Sequence, residues 1–473
     1  MSNLSIAAPN NGIVPGGLTN QNHLDALALE IDKTRPPEFS DDALALRFAE
    51  RNAQSMRYVA ALGRWYIWDG ARWHLDETLI ARHRARKICR EAAAECNQLK
   101  IAKLIASAKS VAAVERLAQA DRRLAATVDQ WDADPWVLNT PGGIIDLRSG
   151  EIRKHDPLAF LTKITGTGPD DKQPTPTWRS FLKRIIGGHS EVIDYLKRVA
   201  GYSLTGSTQE HALFFCYGLG ANGKTTFLNA IAAAAGDYQK TAPIETFTAT
   251  NHDRHPTDIA GLRGARLVTA IETEEGRRWA ESRIKALTGG DKITARFMRQ
   301  DFFEYTPQFK LIIAGNHKPG LRAVDEAMRR RFNLIPFTVT IPPEVRDETL
   351  AEKLKAELPG ILAWMIDGCI DWLERGLAPP EAVTSATAEY LKAEDLVGAW
   401  INDCAERKEG WSESAGDLFA SWKQWAERAG EQVGTQRAFS RKLEQQGILK
   451  GDHARTGATY VGLRLIEAPR MSV

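Results

Sequence analysis

The chain is poor in the residues that staple small domains or bind structural metals. Its 473 residues include 5 cysteines and no C-x-x-C pair. Cys89 and Cys96 are seven apart in a helical stretch, a spacing that places both on one core-facing side rather than around a metal. Such usage suits a reducing compartment and argues against zinc. No apolar run approaches the length of a membrane-spanning helix. Met1 to Pro15 has neither the basic nor the apolar stretch of a secretory leader. Charge of one sign is not in excess either. With 62 basic and 60 acidic residues the net charge is +2, which excludes a histone-like polycation but permits local basic patches. No internal repeat is visible. The expectation is a cytoplasmic protein with no membrane partner. Its 43% hydrophobic and 26% charged content is ordinary for a globular chain long enough for two to four domains.

Residues 1–40, rich in Asn, Gly, Pro and Ser, read as a disordered tail. Residues 41–165 read as an α+β domain. Leu44, Phe48 and Met56 give a helical start. Tyr58, Val59, Trp65, Tyr66 and Trp68 predict short strands around Gly63 and the Asp69-Gly70 turn, and Thr78 to about Val128 predicts a long helical stretch. Trp136 to Leu147 is a compact β-like segment rich in turn residues. A Gly- and Pro-rich linker, Gly166 to Pro176, leads to a helical entry over 175–205. Strands and helices then alternate over 206–345, the pattern of an α/β core. The helical segment 346–400 carries Leu354, Leu358, Leu362, Met365 and Leu373 on one side, with a kink expected at Pro359. A separate small unit is expected over 411–467.

The strongest signal is Gly218-Leu-Gly-Ala-Asn-Gly-Lys-Thr225. The apolar run Leu213-Phe-Phe-Cys-Tyr217 precedes it, as a buried parallel strand would, and the helix former Thr226 to Ala235 follows. Gly218, Gly220 and Gly223 let main-chain N–H groups converge on phosphate oxygens, with Asn222 and Thr226 beside them, and the helix N-terminus adds a favourable dipole. Lys224 is expected to reach the β and γ phosphates and Thr225 to hold Mg²⁺. ATP is favoured over GTP because no guanine-reading N-K-x-D stretch follows.

A second apolar strand, Arg266 to Ile271, ends in Glu272-Thr-Glu-Glu275. A carboxylate at such a tip can orient Mg²⁺ and the attacking water; Glu272 is the first choice and Glu274 the alternative. A third strand, Lys310 to Gly315, terminates in Asn316, whose amide can report on the γ-phosphate. Arg329-Arg-Arg331 precedes the strand Phe332 to Phe337, and an arginine there can reach a neighbouring subunit's γ-phosphate.

In the last unit, Asp417 to Trp425 and Thr435 to Gly447 predict two helices, the second capped by Thr435. A hairpin follows, Ile448 to Lys450 and Ala458 to Leu463. Helix, helix and two-stranded wing is the order of a winged helix-turn-helix. It places Gln436, Arg437, Arg441 and Lys442 on a recognition helix and Arg455 on the wing.

In this order and spacing the pieces resemble the superfamily 3 helicases, a branch of the AAA+ class. They are most similar to the phage and plasmid primase–helicase family that includes the poxvirus primase–helicase. Trp65 to Gly70, Asp134 to Gly143, Gly201 to Gly206, Gly289 to Arg296 and Pro359 to Trp364 share in the resemblance, which covers nearly everything after residue 40. It implies an AAA+-like P-loop core in a hexameric ring moving 3′ to 5′ on single-stranded DNA at replication forks, in the bacterial host cytoplasm, with a separate primase or loader as partner. It also implies a β-hairpin with its tip near Met298 to Asp301, making Arg299 a DNA contact supported by Arg296 and Lys285. Arg330 and Arg331 match the family's arginine pair, Arg329 falls where an aromatic is commoner, and the choice of finger stays open. The forty tail-like residues are too few for a primer-synthesising domain, so no primase activity is expected of this polypeptide. The reading is therefore an ATP-dependent DNA helicase of phage, prophage or plasmid replication. The alternative is a DNA-binding origin or regulatory factor that uses ATP only to assemble. A small-molecule phosphotransferase is disfavoured by the absence of an acceptor-lid pattern.

Overall fold

A computed structural model describes residues 35–249, 257–272, 276–298, 301–321, 324–451 and 458–466. The chain forms two units. One runs to Ala133 and includes His155–Lys163; the other comprises Asp134–Lys154 and the chain from Ile164.

In the first unit Ser40 caps α1 (Asp41–Asn52), its side chain accepting from the Ala43 N–H. Met56 does not extend this helix but opens an antiparallel meander, β1 (Met56–Val59), β2 (Arg64–Trp68) and β3 (Trp73–Leu75). In β2 the buried Trp65 and Ile67 alternate with the half-exposed Tyr66 and Trp68, the period of a one-sided strand. The long helix expected from Thr78 is three helices: α2 (Ile80–Glu95), α3 (Leu99–Ile105) and α4 (Ala108–Ala118). Cys96 turns extended after α2, and Ser107 caps α4 by accepting from the Ser110 N–H. Helical periodicity continues across both breaks, which is why the sequence reads as one helix; the competing side chain of Ser107 decides otherwise.

The second unit opens with another antiparallel meander, β4 (Val137–Thr140), β5 (Gly143–Asp146) and β6 (Ile152–Arg153). Expected within the 41–165 domain, this segment packs instead into the large core: Leu138, Ile145 and Leu147 are buried with Trp178, Phe214, Ile231 and Met365. The Arg266 guanidinium anchors it, donating to the carbonyls of Asp134 and Leu204, each at 2.9 Å.

Next come α5 (Pro176–Ile185) and α6 (Ser190–Tyr202), then β7 (Leu213–Tyr217), α7 (Lys224–Ala235), β8 (Gln239–Thr241), β9 (Leu267–Glu272) and α8 (Glu281–Thr288). A hairpin, β10 (Ile293–Ala295) with β11 (Phe303–Tyr305), precedes β12 (Lys310–Gly315), α9 (Glu326–Arg329) and β13 (Phe332–Pro336). Five of these strands form one parallel sheet in the order β13-β7-β12-β9-β8. Both faces of a parallel sheet are covered, so β7 is apolar throughout; each fully buried Phe contributes about 2–3 kcal/mol. Trp178 of α5 stacks on Phe227 of α7, ring centroids 5.8 Å apart, and so fixes the entry helix beside the loop that follows β7.

The expected kink at Pro359 is a full break. Helix α10 (Leu350–Ala356) ends, and α11 (Leu358–Arg375) starts with the proline in its first turn, where a missing N–H costs nothing. After α12 (Glu381–Glu394) come α13 (Leu396–Cys404), β14 (Ala405–Ser414), α14 (Ala415–Arg428), α15 (Gln436–Gln445), β15 (Leu449–Lys450) and β16 (Thr459–Leu465). Their sheet is β14-β16-β15, three strands where two were expected. The small core also starts earlier than residue 411, because Val397, Trp400 and Ile401 of α13 are buried in it. Strand β14 escaped the sequence reading because Glu406 to Ser412 is exposed on both sides and carries no apolar alternation.

Cys89, Cys216 and Cys369 are buried, and burial pushes their thiols up to about 11, 12 and 12. Cys96 and Cys404 are half-buried. A thiol reagent at pH 8 is expected to label no more than two sulfurs in the folded protein and all 5 in denaturant; rapid labelling of a third in native buffer contradicts this packing.

Candidate functional site

In the parallel sheet the strand after β7 in sequence, β8, lies at the far edge, and β12 occupies the place beside β7. The carboxyl ends of β7, β12 and β9 therefore border a crevice at a switch in strand order, where α/β proteins bind ligands. The chain leaves Tyr217 through Gly218–Gly223 and enters α7 at Lys224. Gly223 has φ 82°, and a Cβ there would lie 2.4 Å from Ile185 of the entry helix, so both backbone and space require glycine. The loop is braced from the sheet. The Asn222 amide donates to Leu219 O at 2.5 Å and Phe337 O at 2.9 Å, and the Ile341 N–H donates to Ala221 O at 2.8 Å. The Asn222 side chain, expected beside a nucleotide, lines the cavity next to Lys224 and also braces the loop.

Lys224 is 5% exposed. Its ammonium donates to Gly218 O at 2.6 Å, Asn222 Oδ1 at 2.8 Å and Asn316 Oδ1 at 3.3 Å. All three acceptors are neutral, and burial lowers the lysine's pKa. An anionic oxygen arriving here gains a charge-assisted bond that the amide and carbonyl oxygens do not supply. Lys224 lies in a cavity of about 320 Å³ lined also by Gly220, Thr225, Thr226, Glu272 and Asn316. The sheet brings these together: Gly315 and Glu272 are paired across β12 and β9, and Asn316 follows directly. Gly315 matters sterically, since a Cβ there would sit 2.6 Å from the Phe215 ring and 3.0 Å from the Glu272 Cβ. Glu272 is 1% exposed, and Arg277, which sequence reasoning missed, has its Nε 3.9 Å from Glu272 Oε1 while Nη2 reaches Glu245 at 3.1 Å. The exposed Thr225 hydroxyl and the Glu272 carboxylate in one cavity suit Mg²⁺, which takes few protein ligands and fills its octahedron with water and phosphate oxygens.

A second cavity, about 390 Å³, shares Ala221, Gly223 and Thr226 with the loop. Thr177, Ser180, Phe181 and Arg184 of α5 form one wall; Ile341, Val345, Arg346, Asp347 and Leu350 form the other. Apolar walls with a polar rim suit a planar heterocycle. Hydrogen bonds from Lys353 and Thr349 hold the Asp347 carboxyl down at about 2, so it is anionic at neutral pH. No sequence signal marks this pocket, because its walls come from segments more than a hundred residues apart.

The three arginines differ. Arg331 is buried, donating to Thr288 Oγ1 at 3.1 Å and Ala327 O at 2.8 Å. Arg329 is exposed with its guanidinium 3.5 Å from the Asp395 carboxylate. Arg330 is exposed, and its guanidinium has no hydrogen-bond or ion-pair partner among the described residues. At the hairpin, the Arg296 guanidinium lies over Phe302 at 4.6 Å, and Phe297, Met298 and Phe302 are exposed. Lys285 pairs with Asp325, the cap of α9. On α15, Arg437 and Arg441 are exposed, whereas Lys442 is half-buried, its pKa lowered by burial against the opposing pull of Asp395 and Glu281. Glu274, Arg299 and Arg455 lie outside the described residues.

Residues 45–187 match the family model described as D5 N terminal like, and residues 216–331 match a family of unknown function. Among relatives, "Putative helicase L207/L206" of Acanthamoeba polyphaga mimivirus is 25% identical over 319 residues, 62% of this chain and 33% of that protein. "Putative helicase 022R" of Frog virus 3 (isolate Goorha) is 23% identical over 303 residues, 59% of this chain and 30% of that protein. The chain thus spans about a third of the length of the curated relatives it matches. A solved structure, the apo C-terminal region of NrS-1, aligns over 90% of this chain and 100% of its own at 10% identity and a TM-score of 0.49. The chain is thus similar over residues 45–187 to the D5 N terminal like family and, over 62% and 59% of its length, to two viral proteins named putative helicases.

Proposed function

We propose that the chain is an ATP-dependent DNA helicase acting on replication forks of a phage, prophage or plasmid, assembled as a hexameric ring that moves 3′ to 5′. The observation that carries it is the Lys224 ammonium held among neutral oxygens in a cavity that also contains Thr225, Glu272 and Asn316. In this reading the triphosphate lies along the Gly218–Gly223 loop and the adenine occupies the pocket between Phe181 and Leu350. Thr225 and Glu272 would hold Mg²⁺, which would supply charge neutralisation at the β and γ phosphates. Lys224 exchanges an amide oxygen for a phosphate oxygen. Glu272 orients the attacking water, and Asn316, released by Lys224, bonds to the γ-phosphate. Arg330 supplies the finger to a neighbouring protomer's site, since Arg331 is committed inside its own. The carboxy-terminal helices and sheet act as a winged helix with Arg437 and Arg441 outward, and the resemblance supports a separate primase or loader.

Strand displacement on forks with 3′ or 5′ tails tests the whole reading. Unwinding of the 3′-tailed fork with ATP and Mg²⁺ supports it. ATP-driven assembly on duplex DNA with no displacement of either fork identifies a non-motor assembly factor and overturns it.

Four variants test the parts. Lys224→Ala is expected to abolish DNA-stimulated ATP hydrolysis, measured as phosphate release. Gly315→Ala should displace Glu272, cutting turnover by at least about 100-fold while nucleotide affinity changes little. Arg330→Ala is expected to lower turnover about 10³-fold with nucleotide affinity retained. Arg331→Ala, by contrast, should first lower the melting temperature, because it strips a buried hydrogen-bonded group. Equal effects of the two arginine changes on melting and turnover would contradict the assignment.

A further inference from the structure

The first unit carries a concentration of charge that the chain's net +2 conceals. Residues 80–118, the span of α2 to α4, hold nine Lys and Arg against three Glu, a net +6. Each of the three acids already faces an arginine: Glu91 with Arg51, Glu95 with Arg47 and Glu115 with Arg82. Arg84 turns aside, donating to Asn52 Oδ1 and Ser55 Oγ. Arg86 and Arg90 are exposed, and among the described residues neither guanidinium has a hydrogen-bond or ion-pair partner. Both open into a groove of about 650 Å³ between α2 and α4, together with Arg82 and His83, opposite the small side chains of Ala108 and Ala112.

We propose that this groove binds the phosphodiester backbone of a DNA strand, a further contact with the nucleic acid apart from the hairpin and the carboxy-terminal unit. The inference rests on the reading that the chain works on DNA. Arg82, Arg86 and Arg90 recur every fourth residue along α2, so successive guanidinium groups rise about 6 Å along one face. A row of regularly spaced forks suits a repeating anion better than a single one, and a guanidinium binds phosphate oxygens through paired N–H donors. The alanines opposite leave width for a strand. A lipid headgroup layer is the poorer match, because the cations line a concavity that a flat anionic surface does not enter.

The test uses the full chain and labelled oligonucleotides, single-stranded and duplex, with affinity measured by anisotropy across a salt series. Replacing Arg86→Ala and Arg90→Ala together is expected to weaken binding about 10-fold near 0.1 M salt. The slope of log affinity against log salt should become shallower by about 1.4 for a single strand or about 1.8 for a duplex, which tells the two sources apart. Nucleotide hydrolysis without DNA should stay unchanged, and the pair Arg86→Lys with Arg90→Lys should restore most of the slope. Unchanged affinity and slope with both oligonucleotides overturn the groove while leaving the helicase reading intact, provided the wild-type chain binds DNA. No binding of either oligonucleotide by the wild-type chain overturns both. Loss of binding to phosphatidylserine vesicles in the double variant, with oligonucleotide binding retained, assigns the groove to a lipid surface and overturns the proposal.

Discussion

A buried ammonium with only neutral partners governs the architecture of the second unit. Lys224 sits at the first turn of α7, almost wholly out of water, and its charge is stabilised by one carbonyl and two amide oxygens. Removing a cation from water costs several kcal/mol unless its protons are well bonded. Each acceptor is therefore fixed by something else. Asn222 is tied to Phe337 beyond β13, Asn316 is set by the end of β12, and Gly218 O is presented by the turn out of β7. Three strands of the sheet converge on one nitrogen, and the crevice follows from holding it there.

How much of this was legible in the sequence depends on whether the chemistry constrains neighbours in the chain or only in space. The loop Gly218–Thr225 was legible because the phosphate-binding pattern places glycines, a lysine and a hydroxyl within eight consecutive residues, between a strand and a helix. Glu272 and Asn316 were legible for a related reason: each ends an apolar run, and parallel strands ending together bring such tips side by side. The pocket from Thr177 to Leu350 was not legible, because no local pattern records that α5 and the chain after β13 meet over the loop. Arg277 was hidden too, since a cation becomes meaningful only once Glu272 is known to lie within reach of it.

The errors about elements have similar causes. Periodicity tells a helix from a strand but says little about where a helix stops, so α2 to α4 read as one. The meander β4 to β6 read as part of the preceding domain because a Gly- and Pro-rich linker follows it. What assigns it to the large core is the burial of Leu138, Ile145 and Leu147 and the Arg266 anchor, all contacts with distant sequence. Charge behaves likewise: a balanced total was read as neutral on partners, whereas pairing in space leaves some arginines compensated and others not.

The arginine triplet carries the same point furthest. Three adjacent residues of one type are indistinguishable in sequence, yet each meets a different environment. Arg331 points back into the core, where Thr288 Oγ1 and Ala327 O bind its guanidinium. Arg329 points toward Asp395, a carboxylate that also accepts from the Gln446 amide at 2.6 Å and from the Gly398 N–H at 3.0 Å. Asp395 stands at the junction of α12 and α13, so Arg329 belongs to the join between the sheet region and the carboxy-terminal helices. Arg329 closes α9, Arg330 is its C-cap and Arg331 leads into β13, so neighbouring arginines leave the end of the helix into different surroundings. Of the three, Arg330 alone has an exposed guanidinium with no partner among the described residues, and it is the one with freedom to serve another chain.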